Sequence, residues 1–211
     1  MSNSIANVLE NLPHYEKLIT ELTEPIIANL VMISEIPSPT FGEQERMDFL
    51  VNRFTEGGLQ NCSTDEMGNA LGILPGRTGK RNIMIVAHLD TLFDASVDHT
   101  VAVQPDKIVG PGVGDNGMGL AVTGSLPLIL EHLDLQLDSN LVLMGSAQSL
   151  GKGNIEGLRF FLSNSDIPIH AAICVEGVEI GRLSYASIGM MRCEIDISIP
   201  EEYDWTRFGA S

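Results

Sequence analysis

The chain has 211 residues, 44% of them hydrophobic, which suffices for one well-buried domain or for one domain and the start of a second. Its 12 Lys and Arg are outnumbered by 28 Asp and Glu, giving a formal net charge of −16. Charge of that sign repels phosphate backbones and anionic lipid surfaces, so we expect no nucleic-acid partner. No apolar run approaches the roughly 18 residues that cross a bilayer, so no membrane span is predicted.

The N-terminus and the cysteines indicate a compartment. The first 12 residues contain no Lys or Arg and no cleavage-site pattern, which argues against a secretory signal. Cys62, Cys174 and Cys193 are isolated and odd in number, so they predict neither a disulfide framework nor a thiolate zinc site. We therefore expect a reducing cytoplasm.

The first part of the chain is predicted to be helical. Apolar residues at helical spacing between His14 and Ile33 predict two short helices divided at Pro25. Thr40 lies three residues before Glu43, which is the spacing of a capping box. A third helix is therefore predicted to follow and to end at the glycine pair 57–58.

The middle of the chain alternates between strands and helices. Three short apolar runs predict strands buried on both faces: Ile83 to Ala87, Leu141 to Met144, and Ala171 to Val175. Helical stretches lie between them, from about Asn116 to His132 and from Asn154 to Leu162. This alternation implies a parallel sheet, so the predicted fold class is α/β.

The last part of the chain has a different pattern. From Leu183 the sequence changes to alternation, and the residues that point one way are Cys193, Ile195, Ile197 and Ile199. Such alternation predicts a half-exposed antiparallel strand. We place a domain boundary near residues 187–189, which gives a first domain over 1–187 and the truncated start of a second over 188–211.

Polar residues follow two of the predicted strands directly, at the edge where open parallel sheets bind ligands. The first run continues into His88-Leu89-Asp90-Thr91 and the third into Glu176-Gly177. Imidazole and carboxylate groups are natural zinc ligands, and Asp90 is placed to hold the second ring nitrogen of His88. For this short motif taken alone, a hydrogen-bonded loop histidine is the alternative.

A glycine-rich turn over residues 110–117 carries a single carboxylate, Asp115, just before a predicted helix. Asp115 could bridge two cations, cap the helix, or do both. The stretch from Gly112 to Gly117 also fits G-x-G-x-x-G, which makes dinucleotide binding a remote alternative. The short preceding strand, and the lack of a second strand ending in an acidic residue about 20 positions later, count against that alternative.

In order along the chain, five motifs resemble those of the di-zinc exopeptidases, the family of aminoacylase, glutamate carboxypeptidase, peptidase T and the acetylornithine and succinyl-diaminopimelate deacylases. The motifs are Ile36–Thr40, Asp65–Asn69, His88–Thr91, Gly110–Asn116 and Val175–Gly177. The resemblance implies a phosphorylase/hydrolase-like zinc-exopeptidase sheet with flanking helices and the start of a lid domain that supports homodimers. It also implies small peptides or N-acyl amino acids as substrates.

The resemblance implies a role for each matching residue. His88 would ligate the first zinc, Asp90 would orient His88, Asp115 would bridge both zincs, and Glu176 would complete the ligands of the first. The bridging residue in this family is typically followed by a cis peptide, here Asp115-Asn116. A water held between the metals attacks an amide carbonyl after a glutamate takes its proton.

The chain departs from the family at two adjacent glutamates, the general base and a ligand of the second zinc. Alignment on the following glycines places Ser149 and Leu150 there, and a shift of one residue places Gln148 and Ser149 there. Neither register supplies a carboxylate, and losing a general base removes about two to four orders of magnitude of rate. In the lid, Tyr203 stands where the family has a histidine.

The sequence therefore predicts a metallopeptidase-like protein with one zinc position at His88, Asp115 and Glu176 and an incomplete set of ligands for a second zinc. Two functions remain open. One is a zinc-dependent exopeptidase or amidohydrolase that uses altered groups, with Ser149 at the general-base position. The other is a catalytically impaired relative that binds metal or peptide.

Overall fold

The computed structural model describes residues 5–179, 181–186, 189, 193 and 195–198. The chain divides into two compact units, Met1–Ile180 and Gly181–Ser211. The first unit contains a five-stranded mixed sheet with apolar clusters on both faces, each covered by helices. Within the described ranges, no helix has the length and apolar character needed to cross a membrane.

Two helices precede the sheet, α1 (Ile5–Glu21) and α2 (Thr23–Ser34). The predicted division at Pro25 is wrong, because the helices separate at Leu22. Pro25 lies in the first turn of α2, where the N–H that proline lacks would have no partner inside the helix. The proline is therefore compatible with the start of α2 and does not mark its boundary.

Helix α3 covers Gln44–Glu56 and ends just before Gly57, as predicted. Its buried face carries three large apolar residues, Met47, Leu50 and Phe54. The predicted capping box is wrong, because no side chain caps this helix. Thr40 and Glu43 instead bond to loops that are distant in sequence.

The strands of the sheet are β1 (Gln60–Thr64), β2 (Ala70–Leu74), β3 (Asn82–His88), β6 (Asn140–Ser146) and β7 (Ala171–Cys174). Their order is β1-β2-β6-β3-β7. β3 pairs in parallel with both β6 and β7, which confirms the predicted parallel strands. β2 and β1 extend the sheet in antiparallel fashion, so the whole sheet is mixed. Two short strands, β4 (Ala102–Val103) and β5 (Ile108–Val109), form a separate pair.

The remaining helices are α4 (Met118–His132) and α5 (Glu156–Asn164), which confirm the two predicted helical stretches. One face of the sheet packs with α3 and α4 in a cluster that includes Phe54, Leu120 and Leu143. The other face packs against α5 through Phe161. Burial of such side chains stabilises the fold by about 1.5–3 kcal/mol each, so both faces help to hold the sheet.

Strand β7 corrects one expectation. It was predicted to be buried on both faces, yet all four of its residues are exposed, including Ile173 at 54%. The physical reason is its position at the edge of the sheet, where no described element covers it.

The predicted lid strand lies partly outside the described residues. Those described near it, Cys193 and residues 195–198, have no regular secondary structure. Tyr203 also lies outside the described residues. The boundary near residue 187 and the lid itself therefore stay predictions, beside the observed division after Ile180.

Candidate metal centre

His88 is the last residue of β3 and lies at the carboxyl edge of the sheet. The parallel register places it beside Ser146, the last residue of β6. Its side chain is buried, and its Nε2 lies 2.8 Å from Asp115 Oδ1 and 3.6 Å from Glu176 Oε2. The predicted His and Glu therefore meet at one edge of the sheet, together with Asp115.

Asp115 comes from an irregular turn, Val113–Gly117, that precedes α4. Asp115 and Asn116 leave the helical region there, with φ/ψ of −124°/94° and −130°/40°. The peptide bond between them is cis, as the resemblance implied. The N–H of Gly119 in the first turn of α4 donates to Asn116 Oδ1, so Asn116, and not Asp115, contacts the start of this helix. The Asp115 carboxylate faces His88 instead.

The dinucleotide alternative finds no support in this turn. The strand before it, β5, belongs to the separate two-stranded pair and not to the parallel sheet. Gly112 has φ +68°, and a Cβ there would lie 2.8 Å from Thr91 Cγ2. The glycine is thus required for a close approach to the chain beside His88, and no phosphate is needed to explain it.

Glu176 follows β7. The Val175 N–H donates to Val86 O at 2.8 Å, which carries the pairing with β3 up to the residue before Glu176. One ligand atom from each of His88, Asp115 and Glu176 lies within 4.8 Å of the other two. Because the three residues come from three separate elements, the tertiary fold creates this group.

Asp90 lies behind His88 and is fully buried. Its Oδ2 accepts hydrogen bonds from Thr40 Oγ1 at 2.8 Å, Leu150 N at 2.7 Å and Ser149 N at 3.1 Å. Its Oδ1 lies 3.3 Å from His88 Nδ1, which is also 2.9 Å from the Asp90 carbonyl oxygen. The geometry therefore suits the orienting role that the resemblance implied for Asp90.

The carboxylates strongly affect the ionisation of His88. Burial lowers its pKa, but hydrogen bonds to Asp90 and Glu176, together with their charges, outweigh burial and raise it from 6.5 to about 10. For Asp90, burial raises the pKa, whereas hydrogen bonds from His88, Leu150 and Thr40 hold it below its usual value. The field that favours a positive charge here would also favour a bound cation.

The loop after β6 contains the residues that the sequence resemblance places at the family's glutamate positions. Ser149 and Leu150 donate their backbone N–H groups to Asp90, and Ser149 Oγ lies 3.1 Å from Ser146 Oγ. Gln148, the alternative position, donates its N–H to Glu43 Oε1 at 2.8 Å. The loop thus adjoins the metal centre, while the catalytic role of Ser149 stays a prediction.

Sequence reasoning missed Asn116, which is fully buried and links two of the ligand segments. Its Nδ2 donates to Val175 O at 2.8 Å, and its Oδ1 accepts from Gly119 N and Gly177 N. The side chain therefore ties the turn of Asp115 to the segment of Glu176. The sequence shows that Asn116 lies inside the G-x-x-G stretch. The neighbouring residues give no indication of hydrogen-bond partners about 60 residues away.

Sequence reasoning also missed Arg46, a fully buried arginine of α3. Its guanidinium donates to Leu89 O at 2.9 Å and to Ile36 O at 2.6 Å. Burial lowers the pKa of Arg46 to about 10, and the charge of Asp90 acts in the opposite direction. Arg46 thereby holds the residue between His88 and Asp90, and its charge lies in the field of Asp90.

The donor set fits a zinc ion. One imidazole and two carboxylates from separate elements are a typical set of protein ligands for catalytic zinc, with a further position left for water or substrate. His88 also has its second nitrogen held by Asp90, as ligating histidines usually do. Calcium and magnesium prefer oxygen-only ligands, so the imidazole favours zinc or a similar transition metal.

Comparison with known proteins gives one family match. Residues 69–147 match the model of Peptidase family M28, a range that contains His88, Asp90 and Asp115 but not Glu176. No curated protein matches the sequence of the chain.

Several solved structures share the fold. Aminopeptidase PepT from Bacillus cereus is 18% identical, with a TM-score of 0.59, and the similarity covers 72% of this chain and 43% of that one. The dipeptidase Dug1p from Saccharomyces cerevisiae is 12% identical, with a TM-score of 0.65 and coverage of 77% and 40%. Human carnosine dipeptidase 1 is 13% identical, with a TM-score of 0.63 and coverage of 79% and 41%.

The chain thus spans less than half the length of each of these three structures. At these identities the likeness concerns the fold, which is the mixed sheet with flanking helices described above. Together with the family match, it confirms the resemblance that the sequence motifs indicated: the chain has the fold of the zinc exopeptidases.

Proposed function

We propose that this chain binds one zinc ion through His88, Asp115 and Glu176 and binds a small peptide or N-acyl amino acid beside it, with little or no hydrolysis. The convergence of the three ligand atoms within 4.8 Å carries this proposal. Asp90 supports it, because it is buried and bonded where it can hold His88 in one orientation.

Bound zinc would polarise an amide carbonyl and lower the pKa of a bound water. The chain's own residues would position the metal ligands. Asp90 fixes the ring of His88, and Asn116 fixes the turn of Asp115 relative to Glu176. The side chains of Asp115 and Glu176 are 44% and 51% exposed, so a small ligand can reach the group from solvent.

Proton transfer is the step for which the residues at the family's glutamate positions offer no suitable group. A general base needs a pKa near the working pH, and neither a serine hydroxyl nor a glutamine amide has one. Ser149 and Leu150 at the family's glutamate positions therefore favour the catalytically impaired alternative. Leu150 also has no atom that binds zinc, which favours one metal over two.

The class of ligand is inferred from the structural relatives. The three solved structures compared above are named as an aminopeptidase and two dipeptidases. Small peptides, rather than whole proteins, are thus the first compounds to test. N-acyl amino acids follow because they present an amide and a free carboxylate in the same way.

The test is zinc binding and hydrolysis by the purified chain. We expect one zinc per chain by calorimetry and elemental analysis, and slow or undetectable cleavage of dipeptides and N-acetyl amino acids. Glu176→Gln removes one ligand charge and should abolish tight zinc binding. Glu45→Gln, an exposed residue of α3, is the matched control and should bind zinc like the original chain.

Two results would overturn the proposal. Equal zinc binding by the Glu176→Gln variant and the original chain would contradict the proposed metal centre. Two tightly bound zinc ions with rapid hydrolysis would instead favour an active exopeptidase that uses altered groups.

A further inference from the structure

Thr40 contacts the metal centre through Asp90. It ends one of the motifs that carry the family resemblance, but the resemblance assigns it no role. Its Oγ1 donates to Asp90 Oδ2 at 2.8 Å. Within the described part of the chain, Asp90 has one other side-chain hydrogen-bond partner, His88, and its remaining donors are the backbone N–H groups of Ser149 and Leu150. A substitution of Thr40 can therefore alter the hydrogen bonding of Asp90 without replacing any of the proposed metal ligands.

The backbone around Thr40 is fixed against the loop that carries Asp90. Pro39 forms a parallel bridge with Thr91, and the Thr91 N–H donates to Ser38 O at 2.8 Å. These contacts hold residues 38 and 39 against Thr91, the residue that follows Asp90. The Thr40 hydroxyl therefore reaches Asp90 from a segment that is bonded to the same loop.

The turn that contains Thr40 is strained. The Gly42 N–H donates to Pro39 O at 2.7 Å, and Phe41 has φ +74°, in the left-handed region. A turn of this shape favours glycine at the position that Phe41 occupies, so the bulky residue is disfavoured there. Strain of this kind persists where the surrounding structure holds it, and it clusters at functional sites.

We infer, resting on the proposed zinc centre, that Thr40 is a positioning residue for the metal: its hydroxyl fixes Asp90, and Asp90 fixes the ring of His88. In the buried carboxylate, Oδ2 accepts from Thr40 Oγ1 and Leu150 N, and Oδ1 faces His88 Nδ1. The Ser149 N–H is shared between the two oxygens. Removing the hydroxyl leaves Asp90 freer to rotate, so His88 presents Nε2 to the metal less constantly.

The structural alternative is that Thr40 only stabilises the turn before α3. A hydroxyl that served the turn alone would change the melting temperature when removed, but not the environment of His88. The two roles are therefore distinguished by measurements on His88 and on zinc, with thermal unfolding measured in parallel.

The experiment compares Thr40→Val, which keeps the shape and removes the hydroxyl, with Thr40→Ser, which keeps the hydroxyl. Thr55→Val is the matched control, because Thr55 is exposed and its hydroxyl bonds to Val51 O within α3. We expect zinc affinity to fall about 10-fold or more in Thr40→Val, the range found for partners of metal-ligating histidines. Thr40→Ser should restore affinity, and Thr55→Val should leave it unchanged.

A second measurement does not depend on zinc. In the metal-free protein, the ring nitrogens of His88 are assigned by ¹⁵N NMR with the help of His88→Gln. We expect the Nδ1 resonance to shift in Thr40→Val and to stay in place in Thr40→Ser. If the original chain bound no zinc, the proposed metal function would fail, yet this shift would still support the positioning role. An unchanged Nδ1 resonance, with or without zinc binding, would overturn that role.

Discussion

Two loops at the carboxyl edge of the sheet differ in chemistry but not in how firmly their backbones are held. The loop after β3 carries His88 and Asp90, which suit a metal centre. The loop after β6 carries Ser149 and Leu150, which the sequence resemblance places at the family's two glutamate positions. The second loop is nevertheless fixed by four hydrogen bonds from its backbone N–H groups, at residues 147–150, to Asn69, Glu43 and Asp90.

The comparison shows that a loop can have a firmly held backbone without carrying the side chains that make a site reactive. Gln148, Asn154 and Ile155 in and after the second loop have φ of +52°, +54° and +60°, which are disfavoured for residues with side chains. The loop thus keeps a strained path although the residues at its tip cannot act as carboxylates. In this molecule, Asn69, Glu43 and Asp90 hold the backbone of the loop, whatever chemistry the side chains of Ser149 and Leu150 can carry out.

The first prediction concerns the support of the loop after β3. Arg46→Met removes the guanidinium that donates to Leu89 O and Ile36 O and lies in the field of buried Asp90. We expect the free energy of unfolding to fall by about 3–5 kcal/mol, since two carbonyls lose a charged donor and the buried charge of Asp90 loses a neighbouring cation. Urea denaturation followed by circular dichroism measures this loss.

Arg159→Met is the control for the same change at an exposed position, in α5. It should alter the free energy of unfolding by no more than about 0.5 kcal/mol. Equal stability of the Arg46 and Arg159 variants would mean that the loop after β3 is held by other contacts.

The sequence predicts most of the fold but only part of the centre. Apolar runs mark β3 and β6 because strands covered by helices need continuous hydrophobic residues. The residues after β3 and β7 then meet at one edge of the parallel sheet. The contacts of Arg46 and Asn116 are not predictable in this way, because they join backbone groups 43 and about 60 residues away. For Thr40 and Glu43, spacing alone could not distinguish a local cap from tertiary partners.

The second prediction concerns the link between the turn of Asp115 and the segment of Glu176. Asn116→Ala leaves Val175 O, Gly119 N and Gly177 N without their partner. We expect a loss of about 2–3 kcal/mol in the free energy of unfolding, and weaker zinc binding because two ligands are no longer tied together. Chemical denaturation and calorimetry measure the two effects.

Asn164→Ala is the matched control, because Asn164 is exposed and bonds to Phe160 O at the end of α5. It should leave zinc binding unchanged. A stable Asn116→Ala variant with unchanged zinc affinity would show that the two ligand segments do not depend on this side chain.

The third prediction concerns a close backbone contact between the same two segments. A Cβ at Gly177 would collide with Gly114 O and would lie 2.6 Å from Met118 Cβ, whereas a Cβ at Gly114 would have Gly177 O as its nearest neighbour, at 3.8 Å. We expect Gly177→Ala to cost about 1–3 kcal/mol by overpacking and to weaken zinc binding. Gly114→Ala should do neither, and equal zinc affinities for the two variants would contradict the steric argument.

The fourth prediction has the smallest expected effect on folding and addresses the loop after β6 directly. Ser149→Glu combined with Leu150→Glu restores carboxylates to a backbone that Asp90 already holds through two N–H groups. We expect the free energy of unfolding of the metal-free variant to change by no more than about 1 kcal/mol, because Ser149 and Leu150 are only partly buried. Zinc stoichiometry, measured by elemental analysis, should rise from one toward two.

The control is the double glutamine variant of the same positions, which has the same shape without the charges and should keep one zinc. If both double variants bind one zinc, two carboxylates on the backbone of this loop do not suffice for a second metal. The contrast between a well-positioned loop and its unreactive side chains would then not hold.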